Sequence, residues 1–452
     1  MLGQHLPGEP RARRRRPTCA LIMGLACALA CGGGQPETSP TPATKATPEA
    51  PAEAPAPACK DFSALDPATL PPLPETPYTA TFETVWRIVL EKHFDPTLAC
   101  QDWPALRLEY GKRLVDAADA GAAYGLMNEL LGKLGQSHFR VVPPDDVLVD
   151  DAPQGPARAP LHARWIGDEV VVVAASVDGV ESGVPAGAVL LEIDGRPITE
   201  IVEHARAKAR RPSELAFEIA WAIERRLSGE AGEHRSVRVR APDGRERTIE
   251  VACVTPPGEM VSLGNLRNIP TIVESRMIDG TKIGYLAFNY WMLPMIKRVE
   301  AAMGELRAAG MEALIIDLRG NPGGVGAMSV PLARMLLSRE GSLGVLRFRD
   351  FEQEFKVAAN PDAFGGPLAI LIDEGTASTS EIFVAGMRDL GRVKAIVGGR
   401  ASAGAALPSL IERLADGATL QYVVGDYHSS KGAVAEGDGV VPDTLVQETR
   451  ED

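Results

Sequence analysis

The chain has 452 residues, a net charge of −13, 24% charged residues and 45% hydrophobic residues. This length is enough for two or three domains with a large buried core, and the composition is that of a globular protein. Because the chain is acidic, has only 5% aromatic residues and lacks a basic cluster in its folded part, a nucleic acid or other polyanionic partner is excluded.

The first 30 residues have the pattern of a signal peptide. A basic stretch, Arg11–Arg16, precedes an apolar run, Cys19–Ala30, that is too short to span a bilayer. Cys31 follows small residues and precedes three glycines, which resembles a bacterial lipoprotein signal in which this cysteine is acylated. Plain secretion without a lipid is the alternative, because Ala28 stands where leucine is usual. We expect a lipid-anchored protein of the bacterial cell envelope, and Gly32 favours the outer membrane, facing the periplasm or the cell surface.

Residues 31–59 are rich in Pro, Ala, Thr and Glu and have no apolar period, so we expect a disordered tether. From its last residue onward the chain has three cysteines, Cys59, Cys100 and Cys253. Outside the cytoplasm Cys59 and Cys100 can form a disulfide that pins the start of the folded region to its first helices. Three is an odd number, so one thiol stays free, and Cys253, in an alternating strand pattern, is expected to be buried.

Residues 60–157 are predicted to form a helical N-terminal subdomain. Apolar residues recur at helical spacing in Thr81–His93, Leu106–Ala117 and Ala122–Leu134, and a glycine ends the last of these patterns. Ser137 and His138 follow in a turn that leads into a short strand.

Residues 158–256 are predicted to form a separate unit of short strands with one helix, Glu214–Leu227. The stretch Gly183–Gly195 resembles the part of PDZ domains where a turn feeds a strand that ends in Asp-Gly. PDZ domains bind peptide C-termini by adding a strand to a sheet edge. A generic β-rich insert without a peptide groove is the alternative, because a single Asp-Gly turn is common.

Residues 257–452 alternate strand and helix patterns, which predicts an α/β core with helices packed on a sheet. Two stretches share one plan: a strand (Leu314–Leu318, then Leu368–Ile372) runs into a Gly- or Thr/Ser-rich turn and a helical pattern (Gly324–Leu337, then Ser380–Leu390). This plan places backbone N–H groups and a hydroxyl at helix N-termini, where developing negative charge is stabilised. We interpret Ser378 as the nucleophile of a serine peptidase.

Three motifs, Arg319–Gly324, Thr376–Glu381 and Gly437–Asp443, resemble those of the S41 serine peptidases, which include the carboxy-terminal processing proteases and the tricorn core protease. The resemblance implies a multidomain α/β protein with a helical N-terminal subdomain, a PDZ-like β-rich insert and a catalytic core of the ClpP/crotonase-like type. One branch of the family pairs its serine with a lysine in a later Gly-Lys-Gly context. The corresponding stretch here, Gly398–Ala405, contains no lysine, which removes the Ser–Lys mechanism.

The tricorn-like branch takes its base from a Ser-His pair before the insert and adds a glutamate before the final Gly-Val-x-Pro-Asp turn. Ser137-His138 and Glu436 match these positions. The resemblance therefore implies that His138 is the general base and that Ser137 and Glu436 orient it. An imidazole is suited to this task because its free pKa of about 6.5 lets it accept and return a proton at neutral pH. The N–H groups of Thr379 and of Gly323 or Gly324 are the candidate donors to the oxyanion.

Each of these residues also has a structural interpretation. Ser378-x-x-Glu381 is a capping box, in which the hydroxyl satisfies an orphan helical N–H. His138 alone would be a packing residue, and Glu436 in a Gly-rich acidic turn would be a solvated loop charge. His428, in a loop, is a rival base.

The chain has no metal-binding or phosphate-binding motif such as His-Glu-x-x-His, Cys-x-x-Cys or Gly-Lys-Ser/Thr, so we expect no metal and no cofactor. Asp317 and Arg319 are expected to shape their turn. The leading hypothesis is an envelope-anchored serine endopeptidase that acts on peptides or unfolded protein termini. The alternative is a catalytically inactive protein on the same scaffold that binds a hydrophobic ligand or a peptide. The expected partners are a peptide or protein substrate and, through Cys31, a membrane.

Overall fold

The computed structural model describes residues 59–144, 155–177, 179–209, 211–263, 266–446 and 449. The predicted signal peptide, Cys31 and the predicted tether up to residue 58 lie outside the described residues. These described residues belong to a single packed unit. No helix in the described part of the chain is long and apolar enough to cross a membrane.

The N-terminal part of this unit consists of three helices and a short strand: α1 (Thr79–Lys92), α2 (Trp103–Arg113), α3 (Ala120–Gly132) and β1 (Arg140–Val142). The three predicted helices are confirmed. Two buried tryptophans join the first two helices, because Trp86 Nε1 donates to the Trp103 carbonyl at 2.9 Å and Trp103 Nε1 donates to the Trp86 carbonyl at 3.1 Å.

The three cysteines are arranged as the sequence predicts. Cys59 and Cys100 form a disulfide, and Cys253 is free and buried. Burial raises the pKa of the Cys253 thiol. Leu98, Ala99 and Cys100 all have positive φ angles, between 52° and 61°, so the disulfide closes on a tight left-handed turn.

The insert is a sheet with two helices and short flanking strands: β2 (Ala157–Arg158), β3 (His162–Ile166), β4 (Glu169–Ala174), β5 (Ser176–Val177), β6 (Val180–Glu181), β7 (Val189–Ile193), β8 (Arg196–Pro197), α4 (Ile198–Lys208), α5 (Pro212–Arg226), β9 (Ser228–Gly229), β10 (His234–Arg240) and β11 (Glu246–Ala252). The sheet order is β11-β10-β7-β4-β3, with antiparallel neighbours. Strand β3 is therefore an edge, and α5 packs beside it. Helix α4 was not predicted.

The remaining elements form the α/β core: β12 (Glu259–Leu263), β13 (Leu266–Thr271), β14 (Val273–Met277), β15 (Ile283–Phe288), α6 (Leu293–Ala308), β16 (Ala313–Asp317), α7 (Ser329–Leu336), β17 (Gly341–Phe348), β18 (Glu352–Val357), β19 (Leu368–Leu371), α8 (Thr379–Asp389), β20 (Ala395–Gly398), β21 (Ser409–Arg413), β22 (Thr419–Val423), β23 (Gly425–His428) and β24 (Thr444–Leu445). The central sheet has the order β14-β15-β16-β19-β20-β24, and all its pairs except β14–β15 are parallel.

The parallel pairing of β16 and β19 brings the two halves of the predicted site together. Asp317 at the end of β16 is opposite Leu371 at the end of β19. The turns that follow the two strands consequently lie side by side at the carboxyl edge of the sheet, which is where open α/β sheets hold their ligands.

The helix predicted over Gly324–Leu337 begins later than expected. Helix α7 starts at Ser329, after a single 3-10 turn, Gly326–Met328. Gly323 and Gly324 instead run alongside Trp291, because Trp291 N donates to the Gly323 carbonyl at 2.9 Å and Val325 N donates to the Trp291 carbonyl at 2.8 Å. The glycine pair thus belongs to an extended turn and not to a helix N-terminus, which corrects the prediction.

Packing crosses the predicted domain boundaries. Strand β1 pairs with β22, and residues of the β21–β22 hairpin, including Leu414, Leu420 and Tyr422, share one apolar cluster with the N-terminal helices. The turn that carries Ser137 and His138 immediately precedes β1. It is therefore fixed to the C-terminal part of the core, although it lies far away in the sequence.

Candidate active site

Ser378 lies in a strained turn between β19 and α8, where it is the N-cap residue of the helix. Its φ of 54° and ψ of −118° are rare for any residue with a side chain, and such conformations cost about 1–3 kcal/mol. The backbone N–H of Ser378 donates to the Ala405 carbonyl at 2.8 Å and to Glu381 Oε2 at 3.0 Å. These bonds turn the residue away from the helical path, and its side chain is half-buried.

The glycine turn packs directly on Ser378. A Cβ atom on Gly323 would lie 2.7 Å from Ser378 Cβ and 3.0 Å from Thr379 N, so only glycine fits at this close approach. The N–H of Gly323 donates to Asn321 Oδ1 at 3.0 Å. The N–H groups of Gly324 and Thr379, in contrast, form no hydrogen bond with the described residues. Of the two candidate glycines, Gly324 therefore has the available donor.

Ser137, His138 and Glu436 form a hydrogen-bonded chain. Ser137 Oγ lies 2.7 Å from His138 Nδ1 and 2.8 Å from Glu436 Oε2, and Ser137 N donates to Glu436 Oε1 at 2.8 Å. His138 has a φ of 60°, so this residue too adopts a backbone conformation that is rare for a side chain other than glycine. The structure thus brings together three residues that the sequence predicted from separate motifs.

The chain of hydrogen bonds fixes the tautomer of His138. A carboxylate only accepts hydrogen bonds, so the Ser137 hydroxyl is the donor in its bond to Glu436 Oε2. The proton between Ser137 Oγ and the ring must then come from His138 Nδ1, which leaves Nε2 with a free lone pair. Desolvation of the half-buried ring lowers the pKa of His138 to about 4, so the imidazole is neutral at physiological pH.

Glu381 joins the Ser378 turn to the loop that follows β20. Its buried carboxylate accepts hydrogen bonds from Ser402 Oγ at 2.6 Å, Gly404 N at 2.8 Å, Ala405 N at 2.9 Å and Ser378 N at 3.0 Å. Burial raises the pKa of Glu381 to about 7, against the effect of these donors. The sequence analysis identified Glu381 only as part of a capping box. Its position three residues after Ser378 was the one signal in the sequence that it contacts the Ser378 turn.

The same loop connects the two halves of the site. Ala405 accepts the Ser378 N–H, and the next residue, Ala406, donates its N–H to Glu436 Oε2 at 3.0 Å. The Ser378 turn and the Glu436 carboxylate are thus bound to adjacent residues. No hydrogen bond joins the Ser378 hydroxyl to the His138 ring within the described residues. Contacts of this kind in unliganded enzymes are often long and tighten when the substrate binds.

The insert contacts the core beside the Ser378 turn. Arg164 on β3 pairs with Glu374 at 3.1 Å, and Arg400 donates to the Trp165 carbonyl at 2.6 Å. Asp373, next to Glu374, accepts the N–H groups of Gly320 and Gly375 at 2.8 and 2.9 Å and so ties the two site turns together. Burial raises the pKa of Asp373 to about 6.

The rival residues have other roles in the structure. His428 Nε2 pairs with Asp426 at 2.9 Å beside a cavity of about 340 Å³, and none of the predicted site residues lines this cavity. Asp317 accepts hydrogen bonds from Arg319 and from Tyr285, so it shapes the turn as predicted. The described residues include no cluster of three His, Cys, Asp or Glu side chains that could hold a metal ion.

Comparison with known proteins assigns the class of the protein. The profile of peptidase family S41 matches residues 282–446, and that of the tricorn protease C1 domain matches residues 74–132. The carboxyl-terminal-processing protease of Synechocystis sp. is 26% identical over 80% of this chain and 79% of its own length. The enzyme of the same name from Picosynechococcus sp. is 24% identical over 80% of this chain and 81% of its own length.

Solved structures agree on the fold. The photosystem II D1 C-terminal processing protease has a TM-score of 0.54 and 22% identity, covering 82% of this chain and 94% of its own. Mature CPAF has a TM-score of 0.57 and 15% identity, covering 83% and 93% of the two chains. The fold is thus the mixed α/β multidomain fold of these proteases.

These findings define a serine-type peptidase, a hydrolase whose substrates are peptides or proteins. The similarity to peptidase family S41 extends over residues 282–446. The inactive binding protein that the missing lysine suggested is not favoured.

Proposed function

We propose that this peptidase cleaves peptide bonds with Ser378 as nucleophile and His138 as general base, through an acyl-enzyme. The observation that carries the proposal is the chain of hydrogen bonds from Glu436 through Ser137 to His138 Nδ1. It leaves Nε2 as the basic nitrogen, as a base for a serine hydroxyl requires.

The chemistry follows from this protonation state. Ser378 Oγ attacks the scissile carbonyl and its proton passes to His138 Nε2. The imidazolium is stabilised through Ser137 by the Glu436 anion, and it then gives the proton to the leaving amine. Water, activated by the same nitrogen, hydrolyses the acyl-enzyme. Ser137 and Glu436 act through the ring as its positioning residues.

The oxyanion of the tetrahedral intermediate is bound by the N–H groups of Thr379 and Gly324. Their availability supports this assignment, because donors held in a fixed orientation stabilise charge as it develops. Gly323 serves a different purpose: its missing side chain lets the turn approach Ser378.

The insert is a PDZ-like unit that delivers the substrate, and the core has the ClpP/crotonase-like arrangement. The edge position of β3, with α5 beside it, supports the first assignment, since an extended peptide can add to such an edge. The substrates are accordingly extended peptides or unfolded protein termini. The strand-turn-helix repeats on the parallel sheet support the ClpP/crotonase-like assignment of the core.

The protein is lipid-anchored through Cys31 in the bacterial cell envelope. The basic, apolar and small-residue segments before Cys31 support this location. Metabolic labelling with an alkyne fatty acid should modify the wild-type protein and not Cys31→Ser. Equal labelling of the two would refute the anchor at this position.

The catalytic assignment is tested by cleavage of an unfolded protein substrate. Ser378→Ala should abolish cleavage, and His138→Ala should lower kcat/KM by about 10²–10⁴-fold, the usual contribution of a general base. His428→Ala is the matched control, because it removes the rival imidazole, and its kcat/KM should stay near that of wild type. Equal losses in His138→Ala and His428→Ala, or residual cleavage by Ser378→Ala, would refute the assignment.

A further inference from the structure

The insert covers one side of the turn that carries Glu436. Ser213, in the first turn of α5, donates its hydroxyl to the Gly437 carbonyl at 2.9 Å. Arg211, which precedes the same helix, places Nη2 at 4.0 Å from Glu436 Oε1. A Cβ atom on Gly437 would lie 2.4 Å from Arg211 Nη1, so the guanidinium lies directly against the turn. Three separate contacts therefore join this end of the insert to the turn that carries Glu436, the first residue of the hydrogen-bonded chain Glu436–Ser137–His138.

Arg211 contacts the oxygen of Glu436 that helps to orient Ser137. Glu436 Oε1, the oxygen nearest to Arg211, accepts the Ser137 N–H, while Oε2 accepts the Ser137 hydroxyl. Within the described part of the chain, Arg211 is the one cationic residue within ion-pair distance of this carboxylate. The side chains of Arg211 and Glu436 are 33% and 13% exposed, so water screens the pair only in part.

We infer that Arg211 is a positioning residue of the peptidase site, supplied by the insert. Together with Ser213 it holds the Glu436–Gly437 turn so that both carboxylate oxygens face Ser137. A competent His138 then requires the insert to be seated on the core. This inference rests on the proposed roles of Ser378, His138 and Glu436.

The rate of fluorophosphonate labelling of Ser378 tests this role. The probe is small and does not need to bind the insert as a peptide substrate would. Its reaction rate therefore reports only how well Glu436, Ser137 and His138 are arranged to activate Ser378. Arg211→Met should label about tenfold more slowly than wild type, as expected for an ion pair that water screens only in part. Arg211→Lys should recover part of the rate, and Ser213→Ala should show a smaller loss than Arg211→Met. Arg206→Met is the matched control: this exposed arginine of the same insert pairs with Asp168 at 3.4 Å, away from the site.

A double-mutant cycle separates positioning from general destabilisation. In a Glu436→Gln background, Arg211→Met should change the labelling rate less than twofold, because the group that it positions is already altered. An equal slowing in both backgrounds would overturn the inference, as would a wild-type rate in Arg211→Met. If Arg211→Met does not fold, Ser213→Ala in the two backgrounds gives the same comparison. Failure of wild type itself to label would refute the proposed function instead.

Discussion

Glu436 accepts two hydrogen bonds from Ser137, one from the backbone N–H and one from the hydroxyl, and each is 2.8 Å long. The two residues are 299 positions apart in the sequence. Because both oxygens of the carboxylate are used on one residue, Ser137 has a single orientation, and its hydroxyl is fixed between the carboxylate and the His138 ring. The turn and the β1–β22 pairing beside it hold this geometry in place.

Removal of the Ser137 hydroxyl should uncouple the ring from Glu436. We expect Ser137→Ala to lower the labelling rate by about 10²-fold, because His138 loses the acceptor that fixes its tautomer. Ser137→Thr keeps a hydroxyl at the same position and should retain a larger share of the rate. Equal rates in the two variants would show that the hydroxyl does not orient the ring.

Gly324→Ala should inactivate the enzyme. The residue has a φ of 141°, and a Cβ atom would lie 2.4 Å from the Trp291 carbonyl oxygen, so the N–H of Gly324 must move. Loss of one oxyanion donor costs about 10²–10³-fold in kcat. The control is Gly304→Ala in α6, where a Cβ atom meets nothing within 4 Å. It should leave kcat unchanged and stabilise the helix by about 0.5–1 kcal/mol in thermal unfolding. Full activity in Gly324→Ala would exclude this donor.

Activity should fall below about pH 7 because of Glu381. Its pKa is raised to about 7, and once protonated it can no longer accept all four of the donors that tie Ser378 N to the loop after β20. His138, whose pKa is lowered to about 4, stays neutral over the same range. The labelling rate at pH 6 should therefore be about tenfold below its plateau. If the labelling rate instead falls only near pH 4, the group whose protonation stops the reaction is His138 and not Glu381.

Stability should change in the opposite direction. Because the folded pKa of Glu381 is above its unfolded value of 4.5, the native state binds the proton more tightly between these pH values. The stabilising contribution of Glu381 to the free energy of unfolding is complete below pH 4.5. It is lost as the pH rises through 7, and the total change is about 3 kcal/mol. The difference in unfolding free energy between wild type and Glu381→Gln isolates this group. It should shift in favour of wild type as the pH falls, and a flat difference would contradict the raised pKa.

Reduction of the Cys59–Cys100 disulfide should destabilise the fold. The two cysteines are 41 residues apart, and the chain-entropy model gives about 4 kcal/mol for a loop of this length. Urea unfolding with and without reductant measures the effect. The double variant Cys59→Ser/Cys100→Ser should match the reduced protein and show no further response to reductant. A response in the double variant would place the effect elsewhere.

Much of the core and the site could be predicted because the signals are local. Apolar strands followed by Gly- or Ser-rich turns identify β16 and β19 with the turns that hold Gly324 and Ser378. The Ser137-His138 pair and Glu436 were found by motif alone. Their assembly follows from parallel strand pairing, which places the ends of adjacent strands at one edge.

Other features depend on contacts that no local pattern contains. The pairing of β1 with β22 and the contact of Arg211 with Glu436 join distant segments. Helix α7 begins at Ser329 because the backbone near Gly324 bonds to Trp291, which competes with the helical continuation that the sequence favours. Glu381 accepts four hydrogen bonds because the loop after β20 folds back over it, and no local sequence pattern predicts that contact.

The central claim is that Ser378 is an activated nucleophile, and the most direct measurement is the site of covalent modification. The purified protein is treated with a fluorophosphonate at pH 8, digested, and its peptides are identified by mass spectrometry. We expect one adduct, on Ser378, that is absent from Ser378→Ala and strongly reduced in His138→Ala. An adduct on another serine, or none on the folded wild-type protein, would contradict the claim.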